Sequence, residues 1–392
     1  MTRYFDYAAT TPTDPRVVEA MSPYYTERFG NPNALYTIGR DAFKALEDAR
    51  ERIAKILGAQ PEEVVFTSGG TESDNAALVS TLWRIAPEGG AHIITSAYEH
   101  HAILEMVEWL AKHGFELTVV KPRSDGHVHP EDVESAMRPE TKLVSVMLAN
   151  NEIGSINDLK AIADISHAHG ALVHTDAVQA IGKIEVDVDA LGIDMLSISA
   201  HKIYGPRGIG ALYLRRGTRF DPLIKGGGQE SRRRSGTQNV VGAVGFAKAY
   251  ELAVEDMADE AVRLSALRDN LIEQVTNRLE NTLATVSSDP RLPNIAPFLI
   301  KGVEGEAMLL QLDNQGFSVS TGSACSSGSL EPSHVLLSIG VPQEIAHGSL
   351  RVSMGRWTTE QDCDALVDAL VPIVERLRAM SPVYEKMFGS NA

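Results

Sequence analysis

A lysine, an aspartate, a histidine, a glycine pair and a cysteine stand at spacings that would let them do chemistry together. Lys202 lies in Ser199-Ala200-His201-Lys202-Ile203-Tyr204-Gly205-Pro206, directly after the apolar run Met195–Ser199. Alone, a lysine beside a Gly/Pro loop reads as a solvated surface charge. Asp176 ends the preceding apolar run and, alone, reads as a strand-end cap. Together they have a second reading. A lysine that condenses with an aldehyde, and an acid that pairs with a pyridinium nitrogen, are the protein's share of pyridoxal phosphate chemistry. The acid keeps the ring nitrogen protonated, so the ring can accept electrons from a substrate.

Such a cofactor also needs a phosphate site. Ser68-Gly69-Gly70-Thr71-Glu72-Ser73 falls between an apolar run and a helical pattern. Glycines let backbone approach a ligand, and a helix start offers free N–H groups and a positive dipole end. A plain helix cap explains the same residues, with Thr71-x-x-Asp74 as a capping box. His100, after Glu99, could stack on an aromatic ring and move protons near neutral pH. A solvated helix-start residue is the alternative. His101 points about 100° further round a helix, so only one of the two is expected to face a site. Cys325 lies in the small-residue stretch Ser320-Thr321-Gly322-Ser323-Ala324-Cys325-Ser326-Ser327-Gly328-Ser329. A thiol there can reach into a site and swing out again, and its reactivity requires thiolate character. Cys363, among Glu360, Asp362 and Asp364, reads as a structural helix residue.

The elements that must position these groups alternate. Apolar runs at Val64–Thr67, His92–Thr95, Phe115–Val120, Leu143–Leu148, Ala171–His174, Met195–Ser199 and Ile209–Leu214 read as strands. Helical patterns at Thr71–Ile85, His100–Lys112, Glu131–Met137 and Leu159–His169 separate the earlier runs, with Gly170 as a stop. This alternation predicts an open, mostly parallel, doubly wound α/β sheet. Ligands bind beyond the carboxyl ends of such strands. That rule selects Gly69–Thr71, Glu99–His101, Asn150–Glu152, Asp176 and Ser199–Lys202. A helix over Ile38–Leu57 stopped by Gly58 precedes the region, and a helix-forming run over Ala247–Glu280 bridges to a mixed α+β C-terminal part.

Composition narrows the function classes. Of 392 residues 43% are hydrophobic and the net charge is −16, so a core is available. A basic nucleic-acid surface and a charge-held lipid surface are disfavoured. No uncharged apolar run approaches the ~18 residues of a spanning helix. Met1-Thr2-Arg3-Tyr4-Phe5-Asp6 has no signal-peptide character, so the cytoplasm is expected. Two cysteines make neither a disulfide framework nor a metal pair. His127-x-His129 and His167-x-His169 have no third ligand at a fitting spacing and are expected in water. Dinucleotide, Walker, His-Glu-x-x-His and Gly-x-Ser-x-Gly signatures are absent from the sequence.

Further segments complete a pattern across nearly the whole chain: Tyr4-Phe5-Asp6-Tyr7-Ala8-Ala9-Thr10-Thr11-Pro12, Phe29-Gly30-Asn31-Pro32, Asn150-Asn151-Glu152-Ile153-Gly154, Asp176-Ala177-Val178-Gln179, Arg234-Ser235-Gly236-Thr237, Leu330-Glu331-Pro332-Ser333 and Leu350-Arg351-Val352-Ser353-Met354-Gly355-Arg356. Together with the Lys202 and Cys325 segments they resemble the group I cysteine desulfurases. These are the nitrogenase and iron–sulfur-cluster-assembly type of the fold-type-I pyridoxal phosphate enzymes, which are class V aminotransferase-like.

The resemblance implies a PLP-dependent transferase fold of type I. Residues 15–256 form a large α/β domain around a mostly parallel sheet, and residues 1–14 and 257–392 a smaller α+β domain carrying the cysteine loop. It implies conversion of L-cysteine to L-alanine, with sulfur kept as a persulfide on Cys325. In it Lys202 holds pyridoxal 5'-phosphate covalently and later shuttles protons. Asp176 pairs with the ring nitrogen, Gln179 bonds the ring oxygen, and His100 stacks on the ring as acid or base. Gly70, Thr71, Ser199 and His201 hold the phosphate, joined by Thr237 from the other subunit of a homodimer. Arg351 grips the substrate carboxylate and Asn151 orients substrate and ring. The partners implied are L-cysteine, a second copy of the chain, and a sulfur-acceptor or iron–sulfur scaffold protein. Nucleic acid, membrane and resident metal are not implied; contact with a cluster intermediate is the one route to metal left open. His101 departs from the lysine common at its position. The tail Lys386–Ala392 is shorter than the one housekeeping relatives use to dock a scaffold. Two rivals remain: a lyase or aminotransferase acting on another amino acid such as selenocysteine, which would not need Cys325, and a dimeric adaptor without catalysis.

Overall fold

A strand that must return to its sheet in the same direction needs a long crossover, and one that returns quickly must run antiparallel. The computed structural model, which describes residues 2–285, 289–322 and 331–388, follows that rule. Its strands are β1 (Arg3–Tyr4), β2 (Val64–Thr67), β3 (His92–Ser96), β4 (Glu116–Val120), β5 (Thr141–Ser145), β6 (Leu172–Asp176), β7 (Met195–Ser199), β8 (Gly210–Leu214), β9 (Thr282–Ala284), β10 (Ile295–Ile300), β11 (Phe317–Ser318) and β12 (Ser349–Ser353). The main sheet has the order β2-β8-β7-β6-β5-β3-β4. All pairs from β4 to β7 are parallel. β8 is antiparallel to both β7 and β2, because the link from Ser199 to Gly210 is too short for a crossover helix. The α/β expectation of a mostly parallel sheet flanked by helices therefore holds.

β2, β3, β5, β6 and β7 all finish on one edge. The helix Gly70–Ile85 lies against β5 through β8. The helix Thr37–Leu57 ends at Gly58, whose φ of 70° is the left-handed stop that glycine adopts cheaply. It packs on the helix Val240–Glu255.

Two elements depart from the sequence reading by more than two residues, each because of a contact from elsewhere in the chain. The run Ala247–Glu280 is two helices, Val240–Glu255 and Met257–Arg278. A continuous helix would need the Leu252 carbonyl for the Asp256 N–H. Arg356 Nη2 donates to that carbonyl (3.2 Å), and the Asp256 N–H turns to Val254 instead. The strand expected over Leu143–Leu148 stops at Ser145, because the Glu99 side chain accepts the Met147 N–H at 2.9 Å. The histidine pairs, expected in water, are tethered. His127 and His129 are half-buried, bonded to the Ile156 carbonyl and to Asp125, while exposed His167 pairs with Asp194 at 2.9 Å and His169 bonds the Ile165 carbonyl.

The remaining strands form β12-β10-β9, antiparallel, and the parallel pair β1-β11. Their apolar faces pack with the helices Met257–Arg278 and Glu360–Ala379, and Phe5 joins this cluster from the chain start. Cys363 is buried in it. Burial first, then Asp362, Asp364 and Glu360, push its thiol up to about 12. Among the described residues no helix is long and apolar enough to cross a membrane.

Two buried charges fasten the site edge. Glu230 receives Arg50 at 2.6 and 2.8 Å and accepts the Phe66 N–H at 3.0 Å, while Arg50 also bonds the Val64 carbonyl. This pair clamps β2 to a segment in which Glu230, Ser231 and Arg232 all have positive φ. Such strained residues persist only when their surroundings over-determine them. Removing one partner of a buried pair strands the other. Glu230→Ala is therefore expected to lower unfolding stability in urea by about 3–5 kcal/mol.

Glu99 ties the β3 edge to Met147 and accepts from Ser96. Burial, with Asp176 adding, raises its carboxyl from the ordinary 4.5 to about 8. The folded state then binds more protons than the unfolded state between those values, so this group's contribution to stability falls as pH rises through the window. Glu99→Gln keeps the acceptor and removes the titration. Urea midpoints of the variant from pH 5 to 8 should decline less steeply than those of the wild type.

Candidate active site

Strand ends meeting on one edge enclose a cavity of ≈ 270 Å³. Each wall comes from a different element. The helix that follows β2 begins at Gly70 and presents Gly70 and Thr71. A Cβ on Gly70 would stand 2.9 Å from the Val178 side chain, so only glycine leaves this approach open. Ser199 and His201, after β7, line the same wall. Burial first, then the Lys202 cation, push His201 down to about 4. Its ring is neutral at pH 7 and has one N–H to give, while its Nδ1 lies 3.1 Å from the Thr10 hydroxyl.

Lys202 also lines the cavity, with Nζ donating to the Ala8 and Ala9 carbonyls at 2.6 and 2.7 Å. Gln179 Nε2 donates to the same Ala8 oxygen at 2.8 Å. Asp176, at the end of β6, accepts the Val178 N–H at 2.8 Å. Burial raises its carboxyl, against the pull of His100 and Lys202. His100 caps the next helix from an extended backbone, and its Nδ1 accepts the Ala102 N–H at 3.1 Å. That bond leaves the proton of the neutral ring on Nε2. Burial first, then the Lys202 and His101 charges, lower its pKa, with Asp176 opposing. His101 does not line the cavity; its ring lies 4.8 Å from that of His334.

Arg351, on β12, crosses from the smaller sheet into the cavity wall. It donates to the Asn151 carbonyl (3.1 Å) and to Asp6 Oδ1 (2.8 Å), while its buried Nε has no hydrogen-bond partner among the described residues. Asn151 lines the cavity beside it.

Ten of the expected site residues thus meet in one cavity. Thr237 does not: it is exposed and outside that wall. Cys325 lies outside the described residues. Its described flanks are anchored at the cavity. Ser320 exchanges backbone bonds with Arg351 (3.2 and 2.8 Å), and Ser333 Oγ donates to Glu152 Oε2 at 2.5 Å.

The residues present fit pyridoxal phosphate. A helix start with neutral donors suits the phosphate. A lysine, and a buried acid with a histidine beside it, suit the aldehyde and the ring. The orphaned Arg351 Nε suits a further anion.

Two residues at the site escaped the sequence reading. Asp6 holds Arg351. Asp74 enters that reading only through the helix-cap alternative for this turn, and the structure does not form that cap. The helix cap is Gly69, with no side-chain bond, and the Ser68 N–H goes to Glu72 Oε2 at 2.8 Å. Asp74 is buried and lines the cavity. Its spacing of four from Gly70 was the available signal, because residues four apart share a helix face.

Residues 3–366 match the family described as Aminotransferase class-V. A cysteine desulfurase IscS of Dictyoglomus turgidum is 50% identical over 97% of this chain and 96% of its own length. A solved NifS-like protein superimposes with a TM-score of 0.90 at 38% identity, covering 96% of this chain and all of that one. A structure of SspA in complex with cysteine superimposes at 0.79 with 35% identity over 91% of this chain and all of its own. With matches of this extent the chain belongs to the class-V aminotransferase family and, within it, to the pyridoxal-phosphate-dependent cysteine desulfurases.

Proposed function

We propose the following division of labour for the cysteine desulfurase reaction, in which L-cysteine gives L-alanine and its sulfur is passed on. The observation that carries it is that Lys202, Asp176, His100 and Arg351 line one cavity. Pyridoxal phosphate, when bound, supplies an electron sink that lets the substrate's carbon framework part from its sulfur. Lys202, now held by the Ala8 and Ala9 carbonyls, would hold the cofactor covalently and carry protons. The N–H groups of Gly70 and Thr71, with Ser199 and His201, hold the phosphate. Thr237 of a second copy of the chain completes that site, which makes a homodimer part of the active unit. Asp176 pairs with the ring nitrogen and Gln179 with the ring oxygen. His100 would stack on the ring and serve as acid or base, its Nε2–H offering a hydrogen bond.

Arg351 releases Asp6 and takes the substrate carboxylate in a two-point contact, with Asn151 orienting the substrate. The Cys325 thiolate attacks the substrate sulfur. An S–S bond forms, the C–S bond breaks, and its electron pair stays with carbon, which a proton then converts to alanine. The balance is one cysteine and one thiol to one alanine and one persulfide. As in disulfide exchange, the rate follows the thiolate fraction.

The persulfide then passes to an acceptor or iron–sulfur scaffold protein. Residues 15–256 act as the cofactor-holding domain, and 1–14 with 257–392 as the small domain that delivers Cys325. A working thiol of this kind suits the reducing cytoplasm.

Intact mass and peptide mapping after brief exposure of the holoenzyme to L-cysteine, without reductant, test the reading. One added sulfur is expected on the Cys325 peptide and none on that of Cys363, whose thiol is held protonated. Cys325→Ala should abolish the added mass and leave the visible absorption of bound cofactor intact. An unmodified Cys325 with cofactor in place would sink the proposal and turn the search to other amino acids.

Arg351→Lys keeps the charge and loses the fork. A loss of about 10–100-fold in kcat/KM for L-cysteine is expected, carried mainly by KM. An unchanged KM would remove Arg351 from substrate binding.

A further inference from the structure

Asp74 lies on the helix Gly70–Ile85, one turn beyond the glycine that opens the proposed phosphate site. It is 1% exposed, lines the cavity, and its Oδ1 has no hydrogen-bond partner among the described residues. The sheet face beneath it is polar and dry. Alternation puts His174 and Asp176 of β6 on the same face. Ser145 and Ser197 stand beside them, as the register partners of His174 and Asp176. His174 Nδ1 contacts Ser145 Oγ at 2.8 Å and Nε2 contacts Ser197 Oγ at 2.9 Å. Ser197 in turn bonds the Asp74 carboxyl.

Among the described residues no cation meets this carboxyl. The titratable groups that face it are Asp176 and Glu99, both acids. His174 comes within 3.7 Å but is fully buried, which pushes it down to about 3, so it is neutral. Lys202 and His100 act on Asp176 instead. A lone carboxylate in such a place is costly, and two carboxylates sharing one site cannot both ionise readily. Burial and the Asp176 charge accordingly raise Asp74 well above its ordinary value.

We propose that Asp74 is a positioning residue that keeps a proton at working pH, leaving Asp176 as the single negative charge available to the cofactor's ring nitrogen. A neutral carboxyl leaves the unbonded Oδ1 at less cost than an ionised one would. Were Asp74 ionised, its charge would raise the proton affinity of Asp176, which would then compete with the ring nitrogen for the proton. The inference rests on the reading that Asp176 pairs with that nitrogen.

Infrared spectra of the apo protein at pH 7, with and without carboxyl-13C aspartate, read the proton directly. The label separates aspartate from the buried glutamates. A protonated-carboxyl band that moves with the label is expected. It should persist in Asp176→Asn and vanish in Asp74→Asn. Absence of any label-sensitive band in the wild type overturns the proposal, whether or not either variant folds. So does a band that survives Asp74→Asn and disappears in Asp176→Asn.

In a second readout, Asp74→Asn, which imitates the neutral acid, should keep the affinity of the apo protein for pyridoxal phosphate within about threefold, and Asp74→Leu should weaken it about tenfold. It should also leave the pH dependence of the holoenzyme's visible absorption in place; a shifted titration in Asp74→Asn would show that a charge had been removed and would overturn the inference. If Asp176→Asn leaves the cofactor absorption unchanged, the ring-nitrogen reading fails by itself, and the proton on Asp74 is still decided by the infrared band.

Discussion

Parallel pairing forces each strand to finish beside the finish of its neighbour, and the whole site depends on that constraint. β3, β5, β6 and β7 run the same way, so Glu99, Met147, Asp176 and Ser199 arrive on one edge. Register then does finer work. Asp176 lies opposite Ser197, and Ser145 opposite His174, so the polar side chains of three strands fall on one face. The reversal at β8 closes this sheet without a crossover helix and brings Gly210 against Gly69. A Cβ at Gly210 would lie 2.7 Å from the Gly69 Cα. The turn at Gly69 is thus packed directly against backbone.

Electrostatics at the edge runs against the molecule as a whole. The chain carries a net charge of −16, yet the cavity gathers Lys202, Arg351 and two histidines held neutral by burial. Lys183, behind Gln179, is pushed down to about 7 by burial and by Lys202. Inside a low-dielectric cavity these local cations govern an anionic ligand, because surface charge more than a Debye length away is screened. Burial moves the neighbouring acids in the opposite direction: Glu99 to about 8 and Glu152 to about 7. Fewer negative charges then compete for the cations than the count of acids suggests.

How much of this is legible in the sequence depends on the range of the interaction. Lys202, Asp176, His100 and the Gly69-Gly70-Thr71 turn are readable because strand ends and helix starts are local patterns. Their convergence follows from one rule about parallel sheets. The break between the helices at Asp256 is not readable, because Arg356, a hundred residues later, supplies it through the Leu252 carbonyl. The early end of β5 is set by the Glu99 side chain from another strand. Asp74 shows a subtler failure. Thr71-x-x-Asp74 satisfies a capping pattern in sequence, but in three dimensions the glycine at 69 already caps the helix and the sheet behind buries the acid. A pattern that fits one local function conceals a long-range one.

The chain start illustrates how a short segment enters a site that lies far along the sequence. Arg3–Tyr4 pairs with β11, and Phe5 is buried in the core of the smaller sheet. This anchorage fixes the next four residues across the cavity mouth. Asp6 meets Arg351, and the Ala8 and Ala9 carbonyls take Lys202 and Gln179. On the roles proposed above, those are the groups that bind substrate carboxylate, cofactor aldehyde and ring oxygen. Ligand binding at this edge is then an exchange of partners: one carboxylate for another on Arg351, and two carbonyls released on the lysine side. The buried cations stay paired throughout, so the cost of an unpaired charge is avoided at each stage. Net affinity comes from the difference between old and new partners, which is smaller than the strength of either contact suggests.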